Sequence, residues 1–151
     1  MKKYRVLFVC VHNSARSQMA QAWVNQLCDD LAEAQSAGLE PGVVHPLAIE
    51  VMKEVGIDIS RHQTRGVLDL VREGKLFSYV VTVCDESAAE RCPVFPGVTT
   101  RLHWGFPDPA AATGTKEEKL RVFRAVRDSI KAAVQDWCQQ IREREAANKR
   151  T

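Results

Sequence analysis

At 151 residues the chain has the length of one ordinary domain, long enough to bury roughly two-thirds of its unfolded surface. Apolar residues make up 45% and charged residues 26%, the mixture of a soluble globular protein. With 21 basic against 19 acidic side chains the net charge is +2, which leaves no footprint for nucleic acid or an anionic membrane, so any anion site has to be local.

The opening MKKYRVLFVCVHNSARS breaks its apolar run at His12 and Asn13 and has no small-residue cleavage site, so no signal peptide is expected. The longest apolar run, residues 6–11, is far short of the ~20 needed to span a bilayer. A soluble, cytoplasmic protein is the expectation. Residues 4–10 are apolar nearly throughout and predict a buried strand. From Ser17 the spacing becomes helical, with Met19, Trp23 and Leu27 four apart and Ala20, Val24 and Cys28 beside them. Residues 34–38 form a weaker strand closed by glycine. Pro46 then opens a helix with Ala48, Ile49, Met52 and Val55 inward, ended at Gly56.

Residues 69–73 suggest a short helix, and residues 77–84 the clearest strand after the first. The polar segment 85–96 has room for one or two loose helical turns, and residues 98–103 complete the strands. Residues 116 to about 145 predict one long helix with Leu120, Phe123, Val126, Ile130, Val134, Trp137 and Ile141 on one face, followed by a frayed polar tail at 146–151. Alternating strands and helices make this an α/β fold, a single-domain open twisted parallel sheet of about four strands flanked by helices.

Cys10-Val11-His12-Asn13-Ser14-Ala15-Arg16-Ser17 joins the first strand to the first helix. Ligands of open α/β sheets bind at the carboxyl ends of strands, where successive amides and a helix N-terminus form an anion nest. Arg16 adds a bidentate fork for two oxygens. The same positive field favours a Cys10 thiolate, the nucleophilic form. Asn13 suits a left-handed position, and Ser14 and Ser17 offer hydroxyls. Context carries the reading, because Cys138 and Arg144 have the same spacing inside the last helix, where no amide nest can form. Asp108, after the last strand in HWGFPDP (103–109), is placed to protonate a leaving oxygen, or simply to start a turn.

Five cysteines, an odd number, argue against a structural disulfide framework. Cys84 ends the third strand on the same edge as Cys10, and Cys92 follows in the polar segment. That arrangement suggests a disulfide relay in which Cys84 attacks Cys10 and Cys92 attacks Cys84. Two unrelated cysteines, or a zinc site lacking a paired C-x2-C signature, are the alternatives. Cys28 and Cys138 read as small buried hydrophobes. His45 and His62 read as solvated loop residues, His12 as a tuner of the loop's charge, and His103 as packing near Trp104.

The 10–17 loop, the Cys84/Cys92 pair and HWGFPDP together resemble the arsenate reductases built on the low-molecular-weight tyrosine phosphatase scaffold, over residues 3–141. Ser36-Ala37-Gly38 and Ile57-Asp58-Ile59-Ser60 resemble that family's segments as well. The resemblance implies a flavodoxin-like topology. It implies that Cys10 attacks arsenate held by the amides of residues 11–17 and by Arg16, with Asp108 as acid. It implies that Cys84 then releases arsenite, that Cys92 forms a Cys84–Cys92 disulfide, and that thioredoxin reduces it. No cofactor or metal is then required, since the electrons come from thiols. His12 and Ala15 stand where a glycine and a second cysteine are frequent. Gln21 and Arg65 replace carboxylates of the potassium site of some members, beside Asn13 and Ser36, which argues against a cation here.

Two other readings remain. A low-molecular-weight protein tyrosine phosphatase would use the same loop through a Cys10 phosphoenzyme, but has no use for Cys84 and Cys92; the chain's two tyrosines, Tyr4 and Tyr79, both fall in strands. A non-catalytic redox sensor would use the cysteines to switch a partner surface.

Overall fold

The computed structural model describes residues 4–150, so residues 1–3 and 151 of the expected single domain lie outside the described residues. Four strands, β1 (Tyr4–Cys10), β2 (Ala32–Gly38), β3 (Tyr79–Thr82) and β4 (Thr100–His103), form one parallel sheet in the order β2-β1-β3-β4. The helices are α1 (Arg16–Leu27), α2 (Pro46–Glu54), α3 (Val67–Arg72), α4 (Glu86–Ala89) and α5 (Lys116–Arg150), with a 3-10 turn at Pro109–Ala111. The chain steps from β1 outward to β2 and then crosses back to β3. The crevice between β1 and β3 is therefore the topological switch point, the place where open α/β sheets bind ligands.

Strand β1 is buried on both faces and sorts its side chains by parity. Val6, Phe8 and Cys10 pack with α1 and α5, including Met19, Trp23, Phe123 and Ile130. Leu7 and Val9 pack with Val67, Leu70, Phe77, Val80, Cys92 and Phe95 on the opposite face. A strand covered on both sides has to be apolar at every position, which is why 6–10 shows no alternation.

Several boundaries differ from expectation. β2 starts at Ala32 rather than 34, with Asn25 bonding both the N–H and the carbonyl of Ala34. The paired part of β3 is shorter than 77–84, although Ser78 N–H to Arg5 O (2.8 Å) and Val83 N–H to Val9 O (2.9 Å) continue the tie to β1 at either end. β4 starts at Thr100, and α3 spans 67–72 rather than 69–73. In α2 the buried face is Ala48, Val51 and Met52, while Ile49 is half-buried and Val55 exposed. The tail expected to fray continues α5 to Arg150, anchored by Tyr4 Oη donating to Glu145 and by Arg144 donating to Tyr79 Oη at 3.2 Å. Among the described residues no helix is long and apolar enough to cross a membrane.

The expectation of an all-thiol chain fails at one pair: Cys28 and Cys138 form a disulfide joining the end of α1 to α5. Both cysteines are buried, and the bridge spans 110 residues of sequence. Odd-number arithmetic misses it because one pair among five still leaves three free thiols, Cys10, Cys84 and Cys92.

Replacing Cys138 with Ala should destabilise the fold by about 2–4 kcal/mol, the usual scale for a long-loop disulfide. Denaturant unfolding without reductant reads this, and an unchanged midpoint would show that the bridge contributes nothing to stability.

Candidate active site

The loop of residues 10–17 closes around the Cys10 sulfur. Asn13 N–H donates to Cys10 Sγ at 3.2 Å, and Ser17 Oγ lies 2.8 Å from it. Asn13 Nδ2 donates to that same Ser17 oxygen at 2.7 Å. The Ser17 oxygen thus accepts from Asn13 while it contacts the sulfur. Two polar groups converge on one buried sulfur.

Asn13 is fully buried at φ +56°, the one non-glycine residue with positive φ among those described. Asparagine tolerates this left-handed conformation better than most residues, and three bonds lock it. Its Oδ1 accepts from Arg65 N–H (3.0 Å), its carbonyl accepts from Gln18 Nε2 (3.0 Å), and its Nδ2 holds Ser17. Helix α1 begins at Arg16 with no side chain capping its N-terminus. Its first amides are therefore left for an anion.

Arg16 is held over the loop by the segment after β4. Its guanidinium donates to the Phe106 carbonyl at 3.2 Å and comes within 3.8 Å of Asp108 Oδ2. Asp108 Oδ1 also accepts from Ala110 N–H at 3.0 Å and so caps the 3-10 turn. Asp108 thus starts a turn, one of the two readings of it. The HWGFPDP segment thus delivers both a backbone clamp for Arg16 and a carboxyl group beside it.

Cys84 lies just past β3, in the same buried cluster as Cys10. Burial pushes its thiol up from the usual range, with the Cys10 charge adding and Arg16 opposing. Cys92 is also pushed up by burial, with Arg101 opposing. It does not join the other two. Its side chain belongs to the cluster on the opposite face of the sheet, where Sγ contacts the Pro93 carbonyl at 3.7 Å. The polar segment carrying it has one short helix, α4, and an exposed ion pair from Arg91 to Glu40 at 2.9 Å.

The groups matched to a potassium site are occupied by the protein itself. Asn13 Oδ1 is taken by Arg65 N–H, Ser36 Oγ donates to Gln21, and the Arg65 guanidinium pairs with Glu73 at 3.0 Å. No cluster of three His, Cys, Asp or Glu arranged for a metal occurs among the described residues.

Sequence reasoning missed several supports. Gly38 lies against the loop so tightly that a Cβ would sit 2.8 Å from the Val11 carbonyl and 2.9 Å from Asn13 N. Gln18 is fully buried beneath Asn13. The two histidines read as solvated are half-buried and bonded. His45 accepts from Leu47 N–H and tilts against Phe123, and His62 Nδ1 lies 3.0 Å from Gln18 Oε1. His103 also has a partner, with Nδ1 lying 2.7 Å from the Thr82 hydroxyl. A glycine in a strand end facing a ligand loop was the one available signal.

The profile of the low molecular weight phosphotyrosine protein phosphatase family matches residues 5–147. An arsenate reductase of Halalkalibacterium halodurans is 48% identical over 132 residues, covering 86% of this chain and 91% of that protein. The structure of an arsenate reductase in its phosphate-binding state superposes with a TM-score of 0.72 at 32% identity, over 93% of this chain and 99% of the other. A thioredoxin-dependent arsenate reductase of Corynebacterium glutamicum superposes at 0.60 with 28% identity, over 89% of this chain and 63% of that one.

Gly38→Ala should weaken inorganic phosphate binding by about tenfold or more while the sheet still forms, because the new methyl displaces loop backbone rather than a flexible side chain. Calorimetric titration beside circular dichroism checks this. Unchanged affinity would mean that the loop has slack the geometry does not suggest.

Proposed function

The chain belongs to the low molecular weight phosphotyrosine protein phosphatase family, and we propose that it is an arsenate reductase recharged by thioredoxin. The observation that carries the reading is the pairing of two features in one buried cluster. One is a cysteine sulfur bonded by Asn13 N–H and Ser17 inside an anion-binding loop; the other is a second free cysteine, Cys84, at the same sheet edge. A phosphatase needs only the first.

Arsenate is held by the amides of Val11, His12, Asn13, Ser14, Ala15, Arg16 and Ser17, with the Arg16 guanidinium on two of its oxygens. The Cys10 thiolate attacks arsenic and displaces a hydroxide, which Asp108 protonates to water. Cys84 then attacks the Cys10 sulfur. The sulfur–arsenic bond breaks, its electron pair stays on arsenic, and arsenite leaves as the Cys10–Cys84 disulfide forms. Cys92 attacks Cys84, returning Cys10 as thiolate and leaving a Cys84–Cys92 disulfide for thioredoxin to reduce. Two electrons pass from two thiols to one arsenic at each turnover, with no nucleotide, metal or other cofactor taking part. A cytoplasmic setting suits three thiols that have to be kept reduced, with the Cys28–Cys138 bridge shielded from reductants by burial, and the near-neutral chain has no call for nucleic acid or membrane.

The runner-up, a protein tyrosine phosphatase, is favoured by the same loop, since phosphate and arsenate match in shape and charge. One assay separates the two. NADPH oxidation coupled through thioredoxin and its reductase should depend on arsenate, with aryl phosphate hydrolysis slow beside it. Asp108→Asn should slow arsenite release by about 10²–10⁴-fold, the range a general acid contributes. Brisk hydrolysis without NADPH loss would make the chain a phosphatase, and an unchanged Asp108→Asn rate would reduce that residue to a turn starter.

A further inference from the structure

His45 occupies a junction that the chemistry above leaves unused. Its backbone N–H donates to the Ser14 carbonyl in the oxyanion loop at 2.9 Å. Its Nδ1 accepts the Leu47 N–H at 3.1 Å and caps α2. Its ring lies 4.8 Å, centroid to centroid, from Phe123 on α5. One residue thus ties the loop, α2 and α5 together. A ring nitrogen that accepts carries no proton, so the cap requires a neutral imidazole protonated on Nε2. A proton on Nδ1 would set one donor against another and break the cap.

His62 shows why this is particular to His45. Gln18 Nε2 donates to the carbonyls of Asn13 and Gln63, so Gln18 Oε1 is the acceptor and His62 Nδ1 the donor. Nδ1 carries hydrogen in both the neutral and the charged ring, and that bond survives titration. Of these two half-buried histidines, His45 alone makes a bond that protonation destroys.

We propose that His45 is a positioning residue for the oxyanion loop, holding Ser14 against α2 only while its imidazole is neutral, so that anion capture weakens in acid. The inference rests on the reading of residues 10–17 as an oxyanion site. The charged groups that face the ring are Asp108, ahead of the 3-10 turn, and Lys119 on α5; the first turn of α2 carries no acid, and the loop presents the Ser14 carbonyl. Burial favours the neutral ring, Asp108 opposes it and Lys119 reinforces it, with a net lowering of the His45 pKa. The unfolded chain therefore binds this proton more readily. The contribution to stability is complete above about pH 6.5 and is lost as pH falls through the folded value.

The test is calorimetric titration of the full chain with inorganic phosphate between about pH 5.5 and about pH 8, for wild type, His45→Asn and His45→Ala. Asparagine accepts the Leu47 N–H and does not titrate. Dividing wild-type by variant dissociation constants cancels the ionisation of phosphate itself. For His45→Asn that ratio should sit near unity at the alkaline end and rise to about fivefold at the acid end, the scale of one helix cap. His45→Ala should bind about fivefold more weakly at the alkaline end. A flat ratio, or Asn binding as weakly as Ala in alkali, would overturn the proposal. In wild type, the Ser14 and Leu47 amide resonances should titrate with the His45 ring, and amides that ignore the ring would overturn it as well. A wild type that binds no phosphate at any pH would defeat the oxyanion reading instead, and the amide titration would still decide the role of His45.

Discussion

The Cys10 sulfur sits at the buried end of β1, and the loop that follows is shaped by the polar groups it turns toward that atom. A polar atom in an apolar interior is tolerated only when it is bonded. Asn13 turns left-handed to aim its N–H at Cys10 and uses its side chain to hold the Ser17 hydroxyl beside the same atom. That backbone conformation in turn has to be held. Gln18 holds the Asn13 carbonyl, Arg65 N–H holds the side-chain oxygen, and Gly38 leaves room for the loop to pass. The order β2-β1-β3-β4 places all of this at the switch point, with Cys84 on the neighbouring strand end.

The same sheet that brings Cys10 and Cys84 to one side keeps Cys92 on the other. A relay through all three sulfurs therefore requires residues 85–96 to leave their resting place, drawing Cys92 out from beside Phe95 and Val80. The segment is held by its buried residues Ala88, Cys92 and Phe95, the last edge-on to Phe77. Its helix has four residues, and its ion pair to Glu40 is exposed, the kind that contributes ~0–1 kcal/mol. The raised thiols of Cys84 and Cys92 fit the sequence of events, because a buried, protonated sulfur stays inert until the step that needs it.

Much of this was legible in the residues. β1 announced itself because a strand buried on both faces has to be apolar throughout, and α5 because its inward face repeats over seven apolar residues. The loop was legible from its place between the two. What lay hidden depends on contacts across long separations. The Cys28–Cys138 bridge joins residues 110 apart, and nothing local to either marks it. His45 and His62 sit among polar neighbours in sequence, yet each is drawn inward by a partner on another element, Phe123 for one and Gln18 for the other. Cys92 was placed near its partners by spacing along the chain, but spacing does not say on which face of a sheet a loop will rest.

The most direct test of the account is to mix the reduced wild-type chain with one equivalent of arsenate and no reductant, quench, alkylate the free thiols and map disulfides by mass spectrometry. The account predicts one arsenite per chain, a Cys84–Cys92 disulfide, and an alkylated Cys10. Arsenite released with a persistent Cys10–Cys84 disulfide and an alkylated Cys92, or with Cys10 joined directly to Cys92, would contradict the relay as drawn.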